Sequence, residues 1–282
     1  MCTIGNVFVP ATSGLISFKQ CELKDKTDFL LPEVAQGAGD IRYFPFLRVG
    51  SKGPWAGVNN YGVSFVAADN YLAFNETVGN SIRAVDQDIF AACTKIISDF
   101  KTAEGAKEYM VDFYKGFDSP DILLVTDSTS AYFIESFNGN IECIERTEQF
   151  FASTNHMRML YGGVPYGQNH STYLRLARAE EILQKNSDAT GVLNLLRDQY
   201  YGDSVFSICR VDRSPPPQEQ PYYTQATAIM YANETTVNCV YQINGNPRTN
   251  PYSSVIDIFG TAQMKTGVAS LPDLVRLLTL KP

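Results

Sequence analysis

The 282 residues are 44% hydrophobic and 19% charged, the balance of a globular chain with a substantial core rather than of a disordered or fibrous one. The net charge of -7, with no run of five or more Lys and Arg, argues against nucleic acid as a partner, because nothing supplies the counterion-release term. The six cysteines lack C-x-x-C spacing, the two histidines are too few for an ordinary metal site, and neither a secretory signal nor an apolar run of ~18 residues is present. The expectation is therefore a single cytoplasmic domain over residues 1–282 with free thiols, no metal, no cofactor and no membrane partner; homo-oligomerisation is left open.

In chain order, Met1-Cys2-Thr3 places a thiol directly behind the first methionine, and Thr3 to Val9 is rich in β-branched residues, which predicts a strand. If Met1 is removed, Cys2 carries nucleophile and base on one residue. Its free α-amine (pKa about 8) can take the proton of its own thiol (about 8.5). A buried cysteine in a first strand is also an ordinary core residue. Pro10 to Gly14 reads as a hairpin turn and Leu15 to Gln20 as the returning strand, which brings Lys19 to Glu22 beside Cys2.

Ile41 to Val49 predicts an edge strand because of Pro45. Pro54 to Asn70 predicts a strand, an Asn-Asn-Tyr-Gly turn and a doubly buried strand that ends in Asp69 and Asn70, which either cap a loop or face a site. Helical spacing follows over Asp86–Phe100 and Ala106–Lys115. Asp121–Thr126, Ala131–Phe137, Ile141–Arg146 and Phe150–Thr154 predict an antiparallel meander, with Asn138-Gly139 as one of its turns.

A helix is expected from Ser171, taken as its N-cap, through Leu183, and another over Thr190–Tyr200. Strands are expected at Ala226–Tyr231, Val237–Ile243 and Val255–Phe259, a last helix at Pro272–Leu280, and surface turns at Ser214–Pro217 and Asn244–Pro247. Alternating groups of strands and helices imply an α+β sandwich of two antiparallel sheets with helices outside.

Met1-Cys2-Thr3, Phe18-Lys19-Gln20-Cys21-Glu22, Gly57-Val58-Asn59-Asn60-Tyr61-Gly62-Val63, Ser153-Thr154-Asn155-His156 and Ser171-Thr172-Tyr173-Leu174-Arg175 occur in one order. In that order and spacing the chain resembles the N-terminal nucleophile (Ntn) hydrolases, in the branch of choloylglycine hydrolase, penicillin V acylase and isopenicillin-N acyltransferase-like enzymes. The resemblance implies a four-layer αββα sandwich and hydrolysis or acyl transfer at a linear, non-peptide amide of a small molecule. It implies attack by Cys2 with its α-amine as proton shuttle, a thioester intermediate, and Asn155 as side-chain donor to the oxyanion.

The resemblance also puts Asp69, with Asn70 beside it, at the oxyanion site; a carboxylate there would repel the oxyanion, so either Asn70 takes over or the role is absent. Arg175, with Arg178 as substitute, would orient the active-site carboxylate and favour the thiolate by its fixed charge. Lys19, Gln20 and Glu22 stand where the family commonly has Arg or Lys, Asn and Asp, and Glu22 is expected to hold the Cys2 amine. A rival reading from these departures is an inactive binding protein on the same scaffold. A glutamine amidotransferase is disfavoured by Thr3.

Overall fold

The protein is described by a computed structural model that covers residues 2–70, 88–160, 167, 169–211 and 222–280. Met1, the Asp86 start of the first expected helix and the Ser214–Pro217 turn lie outside the described residues. Among the described residues, two seven-stranded antiparallel sheets face each other. The first runs β10 (Phe150–Ser153), β1 (Cys2–Val9), β2 (Gly14–Leu23), β11 (Tyr223–Ala232), β12 (Val237–Gln242), β13 (Tyr252–Ile256) and β14 (Gln263–Val268). The second keeps chain order: β3 (Ala35–Gln36), β4 (Arg42–Phe46), β5 (Ala56–Asn59), β6 (Ser64–Asp69), β7 (Asp121–Thr126), β8 (Ala131–Phe137) and β9 (Asn140–Glu145).

Strand alternation makes three apolar layers from these two sheets. Cys2, Ile4, Leu15, Cys21, Val66 and Ala68 face the core between the sheets. Val7, Ile16, Phe18 and Ile229 face the other way, under helices α3 (Ser171–Lys185), α4 (Ala189–Leu196) and α5 (Leu271–Leu278). Phe65, Leu123 and Val125 pack against α1 (Ile89–Asp99) and α2 (Ala103–Tyr114) on the far side. The order of layers is therefore helix, sheet, sheet, helix, as the α+β reading expects.

The hairpin at the start is tight for stated reasons. A 3-10 turn at Pro10–Thr12 is closed by Ser13, whose φ of 49° is left-handed. On β1, a Cβ at Gly5 would lie 2.2 Å from Phe151 O and 2.5 Å from the Phe18 ring, so only glycine lets β10 and β2 flank the first strand this closely. The register is Cys2 opposite Cys21, Thr3 opposite Gln20 and Ile4 opposite Lys19.

Several expected elements are corrected. Phe150–Ser153 does not extend the meander but crosses to the first sheet and pairs with β1, Ile4 opposite Ser153. Alternation marks a strand without naming its partner. The strand expected at Ile41–Val49 covers Arg42–Phe46 and is not the edge, because the two-residue β3 pairs beyond it; that pairing involves only Tyr43 and Arg42, so Pro45 forfeits no ladder bond there. Ser171 is the first helical residue and His170 the N-cap, its Nδ1 accepting from Thr172 N at 3.3 Å. The helix expected to reach Tyr200 ends at Leu196, and the mostly exposed edge strand β14 was not expected at all. Among the described residues no helix is long and apolar enough to cross a membrane.

Candidate active site

Alternation along β1 and β2 sorts the candidate residues onto two faces. Cys2, Lys19 and Cys21 project between the sheets, and Thr3, Gln20 and Glu22 project toward the α3 to α5 layer. Lys19 is 6% exposed; its Nζ donates to Trp55 O at 3.0 Å and lies 5.6 Å from the Trp55 ring centroid. A cation is thus held on the Cys2 face of the sheet. Cys2 itself is 3% exposed.

Asn155, two residues past β10 and fully buried, joins three parts of the fold. Its Oδ1 accepts from Cys2 N at 3.0 Å and from Arg175 Nη2 at 2.8 Å, and its Nδ2 donates to Asp69 O at 2.6 Å. The second sheet therefore reaches the site through the main chain of Asp69. Asp69 is exposed, and it is its main-chain oxygen that meets Asn155. Asn70, the residue after β6, is fully buried. β6 packs against both β1 and β2.

Arg175 is buried in the first turns of α3, on the stripe that continues downward as Leu176, Ala179, Ile182 and Leu183. Its guanidinium donates to Cys2 O at 2.9 Å, Thr3 Oγ1 at 3.2 Å and Ser171 Oγ at 3.3 Å as well as to Asn155. Arg178, its expected substitute, is elsewhere: it binds Asp198 and Glu181 and covers the Tyr200 ring at the surface of the helix layer.

Glu22 is fully buried between two guanidiniums, 3.8 Å from Arg175 Nη1 and 3.5 Å from Arg210 Nε. The group that Cys2 N addresses is Asn155 and not Glu22, which corrects the expected contact. The reason is the register: with Cys21 opposite Cys2, Glu22 projects to the helix side. Arg210 was missed by sequence reasoning. It donates through Nη2 to Ser171 Oγ at 2.6 Å and through its main-chain N to Thr224 Oγ1 at 2.9 Å. Its segment, Ile208-Cys209-Arg210-Val211, has no motif; the one signal available was a lone arginine among apolar residues.

The first turn of α3 also holds the Asn155 loop. Thr172 Oγ1 accepts from Asn155 N at 3.0 Å and contacts Thr154 Oγ1 at 2.8 Å and His156 Nδ1 at 2.9 Å. Burial, and then Arg158, Arg175 and His170, bring His156 down to about 4, so it is neutral at pH 7. Glu135 anchors the next residues, its carboxylate accepting from the main-chain N of Arg158, Met159 and Leu160 at 2.6, 2.8 and 3.2 Å.

Beside the site a cavity of about 790 Å³ opens at the ends of β2 and β11, lined by Phe29, Tyr223, Thr224, Gln225, Asn246 and Arg248 among others. Thr224 is the link, because it lies opposite Glu22 and its Oγ1 accepts from Gln20 Nε2 at 3.2 Å. Among the described residues no group of three or more His, Cys, Asp or Glu side chains is placed to share a metal ion. Three buried cations, Lys19, Arg175 and Arg210, thus stand with the buried carboxylate of Glu22, while Glu135, also buried, is bound to the main-chain N of residues 158–160.

Compared by sequence with protein-family models and with curated proteins, the chain matches none. Solved structures do match. The C2A mutant of conjugated bile acid hydrolase from Clostridium perfringens is 11% identical with a TM-score of 0.58, over 94% of this chain and 96% of that one. Penicillin V acylase from Agrobacterium tumefaciens is 12% identical with a TM-score of 0.57, over 94% and 90%. The Caenorhabditis elegans ortholog of N-acylethanolamine-hydrolyzing acid amidase is 14% identical with a TM-score of 0.50, over 81% and 92%. With its layers, its sheet pairing and this likeness over nearly its whole length, the chain has the four-layer αββα fold of the N-terminal nucleophile hydrolases.

Proposed function

We propose that the protein is an amidohydrolase or acyltransferase that cleaves a linear, non-peptide amide through Cys2. The observation that carries the reading is the convergence of Cys2 N, Arg175 and the Asp69 carbonyl on the single amide of Asn155. Support also comes from the fold, which is shared with enzymes that act on conjugated bile acids and penicillin V.

Once whatever precedes Cys2 is removed, its nitrogen is an amine held by Asn155 Oδ1. The amine lone pair takes the thiol proton, and the sulfur attacks the amide carbonyl. The carbonyl π electrons move to oxygen. Asn155 Nδ2 has two hydrogens, one of which goes to Asp69 O; the other, with Asn70, is offered to that oxyanion. Collapse breaks the C–N bond, the departing amine takes the proton from the Cys2 ammonium, and a thioester remains. Water, or an acceptor amine in the transferase case, gives a proton to the same amine and attacks the thioester; collapse breaks the C–S bond, and the departing thiolate takes that proton back from the ammonium, restoring Cys2.

Arg175 and Glu22 act through position in this scheme. Arg175 fixes Cys2 O and Asn155, and Glu22 neutralises one of two adjacent guanidiniums so that both can be buried. Lys19 is assigned to the acyl side of the substrate or to the thiolate, since it lies on the face to which Cys2 projects. Turnover of N-acyl amides by the purified protein tests the proposal: Cys2→Ala should be inactive with an unchanged circular dichroism spectrum, and full activity in that variant would refute the reading.

A further inference from the structure

Five contacts at the start of α3 fix where each hydroxyl proton lies. Thr154 Oγ1 is 2.9 Å from Thr172 O, and a carbonyl only accepts, so the single proton of Thr154 is directed there. The 2.8 Å contact between Thr154 Oγ1 and Thr172 Oγ1 must then be bridged by the proton of Thr172. With both hydroxyl protons spent, the 2.9 Å contact from Thr172 Oγ1 to His156 Nδ1 and the 3.2 Å contact from Thr154 Oγ1 to the same atom both require a proton on that ring nitrogen. The remaining lone pair of Thr172 accepts from Asn155 N at 3.0 Å.

We propose that Thr172 and His156 are positioning residues for Asn155: a directed chain from His156 Nδ1–H through the Thr172 hydroxyl pins the Asn155 main chain and so aims its side chain at Cys2. The assignment rests on the proposed role of Asn155 and adds to it the residues that hold that role in place. Thr172 sits in the first turn of a helix whose next turn carries Arg175, so one rigid element fixes Asn155 at both its main chain and its side chain.

Burial first, and then the groups that face it, keep His156 uncharged. Arg158 lies on its own loop, Arg175 on α3 and His170 at the N-cap of α3, and all three disfavour an imidazolium; the Tyr173 ring packs edge-on at 4.6 Å. A neutral imidazole has one ring proton, which the chain above places on Nδ1. The other histidine is an internal contrast. His170 Nδ1 accepts from Thr172 N, so in its neutral form the His170 proton belongs on Nε2.

The test uses the full chain labelled with ¹⁵N-histidine at pH 7, where two-bond proton–nitrogen correlations report the tautomer of each ring. The expected spectrum has one Nδ1–H and one Nε2–H ring, with His170→Gln removing the latter. Two Nε2–H rings would overturn the proposal. Thr154→Val removes the hydroxyl that directs the chain, and the Nδ1–H preference of His156 should disappear; an unchanged preference also overturns it.

On an N-acyl amide substrate, Thr172→Val should lower kcat about tenfold with KM held within about twofold, and Thr172→Ser should restore it. Equal losses in both variants would show that the hydroxyl is not what positions Asn155. If the wild-type chain turns over no amide, the proposed function fails, and the tautomer of His156 still decides this inference.

Discussion

Asn155 presents its carbonyl oxygen, and not its NH₂ group, to the nitrogen of Cys2. The orientation is over-determined, because Arg175 donates to the same oxygen while Nδ2 donates to Asp69 O, and a flipped amide would set donor against donor. Asn155→Asp keeps both acceptor roles and loses the oxyanion donor together with the bond to Asp69 O. It should lower kcat about 10²- to 10³-fold with little change in KM, measured by steady-state kinetics on an N-acyl amide. An Asp variant of wild-type activity would show that Nδ2 serves the fold alone.

Arg175 and Glu22 are both fully buried, so breaking their pair should cost more than the pair contributes. Arg175→Met removes one of the two guanidiniums beside Glu22 and should destabilise the protein by about 3–5 kcal/mol in urea unfolding. Adding Glu22→Gln should recover part of that loss, since it removes a buried charge that has lost one of its two guanidiniums. Independent, additive effects of the two substitutions would mean that they do not interact.

His156 gives the stability a definite pH dependence. The unfolded chain takes up a proton there near 6.5 and the folded chain only near 4, so between those values the unfolded state binds more protons and stability rises with pH. The contribution is complete above about 6.5 and is lost as pH falls toward 4, with a slope of about 1 kcal/mol per pH unit. His156→Asn should flatten the urea midpoint across this window. A variant with the wild-type slope would assign the dependence to other groups.

The thiols should separate by reactivity. Burial pushes Cys21 and Cys209 up to about 12 and also raises Cys93 and Cys239, so these are thiols at neutral pH. Cys143 is exposed but is raised as well. With its own amine as base, Cys2 should therefore take iodoacetamide first near pH 7, as read by peptide mapping over time. Labelling of Cys143 ahead of Cys2 would argue against an activated terminal thiol.

Much of this arrangement was legible in local chemistry. The β-branched run after Cys2, the turn before Leu15 and the polar Ser171-Thr172 start of a helix place Cys2, Lys19 and Arg175 on rigid elements. What depends on long-range pairing was not legible. Glu22 was given to the Cys2 amine because it stands where the family has Asp, whereas the Cys2 to Cys21 register sends it to the other face. Arg210 reaches Glu22 only because β11, which begins at Tyr223, returns beside β2.

Asp69 shows a different limit. Its carboxylate was weighed as an obstacle at the oxyanion site, but its main-chain oxygen is what meets Asn155, a role open to any residue type. The Phe150–Ser153 strand likewise was recognised as a strand and misassigned in partner, and that crossing is what carries Asn155 to Cys2.

The central claim is that Cys2, as an amino-terminal residue, forms the covalent bond to the acyl group. Mass spectrometry of the acid-quenched enzyme during turnover of an N-acyl amide tests it most directly. The account predicts a peptide that begins at Cys2 and carries the acyl mass in a hydroxylamine-labile thioester. An active protein whose first peptide still extends ahead of Cys2, or whose acyl mass sits on another residue, would contradict it.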